Sequence, residues 1–348
     1  MPEPDPSMAF GAVQLAAAAR VDAFAGDCVA DAGRRRSLCA GLAVAASRLA
    51  PGLASGLTPG FMLTGCTLAT DRNHDSPDAP RAARLPRTPR TAWVFSSGGP
   101  RGFVHVGVVK ALAELQLLPD LIVGASVGAA VGVLRASGLP ARRIEELALG
   151  LPAWRLARLA IGADERLSGT AIAELVDEQL QQRAGTALLQ GLPMMVVCAV
   201  QRLADGAVLG FSQGDAGLAV QASCAIEGQF APVRIHGQRY ADADLRMPLP
   251  VRLARALGAT RVLAVDASAH EDRAPPGAAG YAASDRRKRE LTRPDAALAD
   301  VLLQPEFGYW ASLSREYRER CINAGYRDTM AAAPRLRALH GAGSVPAA

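Results

Sequence analysis

Lysine is nearly missing from this chain. Lys110 and Lys288 stand against 36 arginines, so positive charge is carried almost wholly by guanidinium groups. Aromatic residues are scarce at 5%, and no basic run is interleaved with them. That absence argues against a nucleic-acid interface, and no nucleic-acid partner is expected. The arginine excess, with abundant Ala, Leu and Val, fits a G- and C-rich coding bias. The net charge of +5 also suits an anionic partner such as a phospholipid surface. The six cysteines, Cys28, Cys39, Cys66, Cys198, Cys224 and Cys321, contain no CxxC pair and no Cys/His cluster of zinc-ligand spacing. No metal and no other cofactor is therefore expected. Cys198 lies in the apolar run from Met194 to Val200 and reads as a buried free thiol. No stretch of 18 uninterrupted apolar residues occurs, which argues against a membrane-spanning helix.

What is present is enough apolar residue for a sizeable core: half of the 348 residues are hydrophobic. The chain divides into four parts by character. Residues 1–66 resemble the signal of a bacterial lipoprotein, with Arg34-Arg35-Arg36, then an apolar, small-residue stretch, then Leu63-Thr64-Gly65-Cys66. Cys66 is the candidate lipidation site, and a lipid anchor in the cell envelope is the expected location. Arg48, Pro51 and Pro59 interrupt the apolar stretch; an internal start would make Arg48 the basic region. A disordered extension on a cytoplasmic protein is the alternative. Residues 67–90, rich in Pro, Arg, Asp and Ala, read as a linker. Residues 91–330 form the expected main folded domain, and 331–348 a C-terminal tail.

The domain begins with a compact pattern. Ala92–Phe95 is a strand, and Ser97-Gly98-Gly99-Pro100-Arg101-Gly102 is too rich in glycine to continue it. Phe103–Leu117 has helical spacing of apolar residues. Leu121–Val123 is a second strand, and Gly124-Ala125-Ser126-Val127-Gly128 leads straight into a helix over 129–136. Strand, Gly-rich turn, helix, strand, GxSxG, helix is a βαβ unit with a right-handed crossover and parallel strands. Both loops then share one edge of the sheet. A serine on a tight strand-to-helix turn presents its hydroxyl outward, and Gly124 and Gly128 leave room for the close packing around it. Gly98 and Gly99 let backbone N–H groups approach a carbonyl and form an oxyanion hole. Arg101 either braces that loop or adds positive potential. The loop is not GxGxxG and no GxxxxGK[ST] occurs, which argues against a nucleotide-binding βαβ protein.

These residues resemble the patatin-like phospholipase family. The Ser97–Gly102 loop, the following Phe103-Val104-His105-Val106-Gly107-Val108-Val109, the Gly124–Gly128 turn and the segment Tyr240-Ala241-Asp242-Ala243-Asp244 carry the likeness. It extends from about Ala92 to Tyr326. The resemblance implies a three-layer α/β/α fold with a central, mostly parallel sheet. It implies a serine acyl hydrolase with a lipid or acyl-ester substrate, Ser126 as nucleophile and Asp242 as base. It implies an oxyanion loop over Gly98, Gly99, Pro100, Arg101 and Gly102. An aspartate with its ordinary pKa is a weak base at neutral pH, so a desolvated Asp242 is expected.

The chain departs from the family pattern at several positions. Ser97 replaces the first glycine of the loop, at a cost if that position needs a positive φ. Pro100 has no N–H. The family's Asp-Gly-Gly or Asp-Gly-Ala is here Asp242-Ala243-Asp244. Asp244 either faces Asp242 and raises its pKa, or pairs with Arg239 or Arg246 at the surface. A degenerate protein that binds lipid without hydrolysing it is the alternative function. A Ser-His-Asp triad would have to use His270. Further along, a helix is expected over 164–184, strands over 192–200, 207–211 and 262–266, a mobile loop over 270–292, and helices within 307–339.

Overall fold

In the computed structural model of the chain, residues 74–151 and 167–341 are described. Cys66 and the signal-like segment 1–66 lie outside the described residues.

Strand β1 (Thr91–Phe95) is buried along its whole length. Its side chains divide between two apolar clusters, Trp93 and Phe95 on one face and Ala92 and Val94 on the other. Two-sided burial is the mark of a central parallel strand. β1 runs parallel to β2 (Leu121–Ala125) on one side and to β7 (Arg261–Val265) on the other. β3 (Met195–Arg202) continues the parallel set beyond β2, and β8 (Val301–Leu303) continues it beyond β7. An antiparallel margin completes the eight strands: β4 (Val208–Phe211) and β6 (Gln238–Asp242) pair with β3, and β5 (Val233–Ile235) pairs with β6.

Helices cover both faces. Helices α1 (Val104–Glu114), α2 (Val127–Ala136), α4 (Thr170–Ala184), α5 (Ala216–Ser223), α8 (Arg315–Ala331) and α9 (Ala333–His340) each place residues in the cluster around Trp93 and Phe95. Helix α3 (Ala141–Gly150) adds Ile144 there. Helix α6 (Val251–Ala256) and the end of α7 (Ala282–Ala296) pack on the opposite face with Ala92 and Val94. The result is three layers, α/β/α, about a mostly parallel sheet. Fully burying a side chain such as Phe95 contributes roughly 1.5–3 kcal/mol. Among the described residues no helix is long and apolar enough to cross a membrane.

Two segments are more ordered than their composition suggests. The described part of the 67–90 stretch is tied to the domain: Ala79 is fully buried, Asp215 N–H donates to Asp78 O at 2.7 Å, and Arg81 forms a backbone bridge with Gln213. Residues 270–292, expected to be a mobile loop, form short 3-10 turns and then most of α7. Polar anchors hold much of α7 beside the small apolar contact of Ala296. Asp295, with no exposed side-chain surface, pairs with Arg252 at 2.8 Å and accepts its backbone N–H at 2.7 Å. Hydrophobic periodicity cannot reveal a helix held in this way.

The margin of the sheet decides where Ser126 and Asp242 meet. Ala199 of β3 faces both Ala125 of β2 and Gly210 of β4, so β2 and β4 occupy opposite edges of β3. Val200 faces both Leu209 of β4 and Asp242 of β6. Hence β6 lies on the same edge as β2 and runs head-on into its end. Ser126 follows Ala125, and Asp242 is one β3 residue further along.

Candidate active site

Ser126 sits at the turn from β2 into α2 with φ 55° and ψ −128°. A serine in this region carries backbone strain of order 1–3 kcal/mol, held only where the surroundings over-determine it. They do so here by close contact. A Cβ on Gly124 would lie 2.4 Å from Ala129 N, and one on Gly128 would lie 2.4 Å from Phe95 O. Both glycines of the GxSxG turn are therefore steric requirements. Ser126 N–H donates to Ser223 Oγ at 2.9 Å, and that hydroxyl donates to Ala199 O at 2.7 Å. Ser223, fully buried at the end of α5, thus locks the turn to β3. No pattern in the sequence marks it for that role.

The glycine-rich loop is a 3-10 turn over Gly99–Phe103. Gly99 has φ +51°, which explains glycine there. Gly98 is extended, but a Cβ on it would stand 2.9 Å from Ala267 Cβ. Neither Gly98 N–H nor Gly99 N–H has a hydrogen-bond partner among the described residues. Pro100 has no N–H, and Arg101 N–H is committed to Gly98 O at 3.1 Å. Gly102 is buried inside the turn, packed on Val127. Arg101 is a brace: its guanidinium donates to Tyr309 O at 3.1 Å and lies over the Tyr309 ring. Ser97 is not at positive φ, so its replacement of glycine brings no strain. Its N–H donates to Pro248 O at 2.8 Å.

Asp242 ends β6 and is 3% exposed. Its Oδ1 accepts Asp244 N–H at 2.9 Å, while Oδ2 is buried without a hydrogen-bond partner. Burial, and then the negative charge of Asp244, push its pKa up to about 7. The Ser126 hydroxyl, the Asp244 N–H and the Lys288 ammonium oppose that rise. Ser126 is thus close enough to favour the carboxylate, yet Oδ2 remains unbonded. Such contacts are often loose in a free enzyme and tighten on substrate. Ala243 fits where the family has glycine: it is fully buried against Ala125 and Ala199.

Asp244 pairs neither with Arg239 nor with Arg246. It accepts hydrogen bonds from Lys288 Nζ at 2.7 Å and from Ser97 Oγ. Burial alone would raise its pKa; the Lys288 charge and these hydrogen bonds outweigh burial and hold it below the usual carboxylate range. Cys224 also borders the site, beside Ser126 and Asp242. Burial, reinforced by the Asp242 charge, drives its pKa far up, so it stays a neutral thiol. Cys198 is buried, as expected, with its pKa raised to about 12.

No histidine among the described residues bonds Ser126. The His270 ring contacts Gln304 O at 3.0 Å, and the buried His105 ring contacts Ser96 O at 2.9 Å. His105 has its pKa lowered to about 4, chiefly by burial. Among the described residues no group of three or more His, Cys, Asp or Glu is placed to hold a metal ion.

The arrangement offers a strained serine, two free N–H donors on a neighbouring loop and a buried carboxyl that titrates near neutrality. Residues 93–255, which contain all three, match the family described as patatin-like phospholipase. An uncharacterized NTE family protein of Mycobacterium tuberculosis is 30% identical over 182 residues, 52% of this chain and 49% of that protein. The lysophospholipase NTE1 of Coccidioides immitis is 27% identical over 186 residues, 53% of this chain and 12% of that protein. The chain thus spans about half the length of the mycobacterial relative. Among solved structures, VipD of Legionella pneumophila superimposes with a TM-score of 0.48 at 14% identity, covering 75% of this chain and 70% of that one.

Proposed function

We propose that this chain, whose residues 93–255 are a patatin-like phospholipase domain, is a lipid acyl hydrolase that works through a Ser126–Asp242 dyad. The observation that carries the reading is the head-on meeting of β2 and β6 beside β3. It brings a strained serine to a buried carboxyl whose pKa is about 7. Ionised Asp242 takes the proton of Ser126 Oγ as that oxygen bonds to the ester carbonyl carbon. The N–H groups of Gly98 and Gly99 receive the negative charge on the carbonyl oxygen. Collapse breaks the bond to the alcohol, which takes the proton from Asp242 and leaves an acyl-Ser126 ester. Water then attacks that ester, passes its proton through Asp242 to Ser126 and releases the fatty acid. The raised pKa makes Asp242 a base matched to neutral pH.

Two measurements test this. A fluorophosphonate probe is expected to label wild-type protein at Ser126 and to leave Ser126→Ala unlabelled. The kcat/KM for a short-chain p-nitrophenyl ester is expected to rise with pH through about 7, because only the ionised carboxyl is a base. A lipid-binding protein without turnover would show neither behaviour, and an ordinary carboxylate would level off near pH 5.

The preference for a membrane surface and the envelope location belong to the same reading. They rest on the net charge of +5 and on Cys66 as a lipidated residue. Palmitate labelling of cells is expected to mark the wild-type chain and to be lost in Cys66→Ala. Equal labelling and equal membrane partition of the two would remove the anchor.

A further inference from the structure

One ammonium group stands where the two active-site loops meet. Lys288 Nζ, from α7, donates to Asp244 Oδ1 at 2.7 Å and to Ser97 Oγ at 3.2 Å. Ser97 Oγ donates to the same carboxylate oxygen. Ser97 immediately precedes Gly98 of the oxyanion loop. Asp244 binds Asp242 Oδ1 through its own N–H. A single side chain therefore links the donors for the oxyanion to the segment that carries the base. All three members are departures or additions. Ser97 and Asp244 stand where the family has glycine, or glycine or alanine, and Lys288 lies outside the matched residues 93–255. In a chain that otherwise uses arginine, a lysine here is one of only two. A compact ammonium can serve two oxygens at one point, whereas a guanidinium is a wide planar fork.

The charged and titratable groups around Asp242 come from several elements. Cys224 faces it from the end of α5, Asp244 from its own loop and Lys288 from α7. His105, on α1, feels the same ammonium and is buried and neutral at working pH. Asp244 and Lys288 thus act on Asp242 with opposite signs.

We propose that Lys288 is a positioning residue that clamps the oxyanion loop to the Asp242 segment through Ser97 and Asp244 and screens Asp242 from the Asp244 carboxylate. The clamp rests on the hydrolase reading for its effect on turnover, but its electrostatic part does not. Lys288→Met leaves the Asp244 charge facing Asp242 without compensation. The pH limb of kcat/KM moves upward by about one pH unit or more, and kcat at its plateau falls about tenfold. Asp244→Asn removes the like charge and moves the limb downward. The double variant Asp244→Asn/Lys288→Met leaves neither charge and returns the limb to between those of the two single variants. Lys288→Arg keeps the charge, so it retains the wild-type limb while kcat stays low for want of the two-point contact.

The midpoint of Asp242, followed by carbon NMR of labelled aspartate carboxyls, reads the same order without turnover. An unmoved midpoint and an unmoved limb in both folded single variants would overturn the proposal. If Lys288→Met does not fold, Asp244→Asn and the double variant make the same comparison. If wild-type protein neither turns over nor reacts with a fluorophosphonate, the hydrolase reading fails while the NMR titration still judges the clamp.

Discussion

The serine turn and the aspartate segment lie side by side along one edge of β3, and they are built by different means. The serine turn is made from neighbours in sequence. Gly124, Ser126 and Gly128 fall within five residues, and the strand before them and the helix after them follow from local patterning. Its strain is held by short contacts that need glycine. The aspartate segment is assembled from distant parts of the chain. Asp242 N–H donates to Ala225 O, its partner strand supplies Val200, its neighbour Asp244 is held by Lys288, and its desolvation comes from the whole fold. Nucleophile geometry can be encoded locally. The strength of a base depends on dielectric and on charges that converge only after folding.

The sharpest test of that contrast removes each partner in turn. Ser126→Ala and Asp242→Asn are each expected to lower kcat by about 10³-fold or more, as for residues that act as a unit. The double variant should be little worse than either single one. A multiplicative double variant would show that the two regions act separately.

A smaller effect separates the two regions by stability. Asp242 has a folded pKa of about 7 against an ordinary value of 3.8. The folded state therefore holds its proton more tightly than the unfolded chain. Its stabilising contribution is complete below about pH 4 and is lost as pH rises through about 7. At about 1.4 kcal/mol for each tenfold difference in proton affinity, this amounts to a few kcal/mol. The Tm of the wild type should fall from pH 5 to pH 8 relative to Asp242→Asn, whose curve lacks this component. Parallel curves would place the Asp242 pKa near its ordinary value.

The least effect is expected where the serine turn is tied to β3. Ser223→Ala leaves the buried Ser126 N–H without its acceptor and Ala199 O without its donor. A loss of roughly 1–3 kcal/mol is expected in urea unfolding, with a modest fall in kcat as the turn loosens. Unchanged stability would mean that the glycine contacts alone hold the serine.

The features legible in the sequence are those with strong local signals. The βαβ unit and the two loops follow from apolar periodicity and glycine placement, and family likeness points to the three-layer fold and to Asp242. The illegible features are those held by polar contacts over long separations. Residues 270–292 read as mobile because α7 presents almost no apolar face; its anchors are Asp295 and Lys288. The Asp244 partner is not legible for the same reason: only the alternative that faces Asp244 toward Asp242 agrees with the structure. Arg239 and Arg246 are near in sequence, whereas Lys288 is 44 residues away. The one clue, a lysine in an arginine chain, says nothing about position.

By itself, the sequence determined a parallel α/β core, a GxSxG turn that only glycine-flanked serine can make, and a nearby loop with N–H groups to spare. Those outcomes rest on steric and hydrophobic rules that act over a few residues. The tertiary structure decided that β6 ends against β2 on one edge of β3, so that Asp242 meets Ser126. It also decided that Asp244 faces Asp242 with Lys288 as its counterion. Pairing register and burial set those relations, and both exist only in the folded chain.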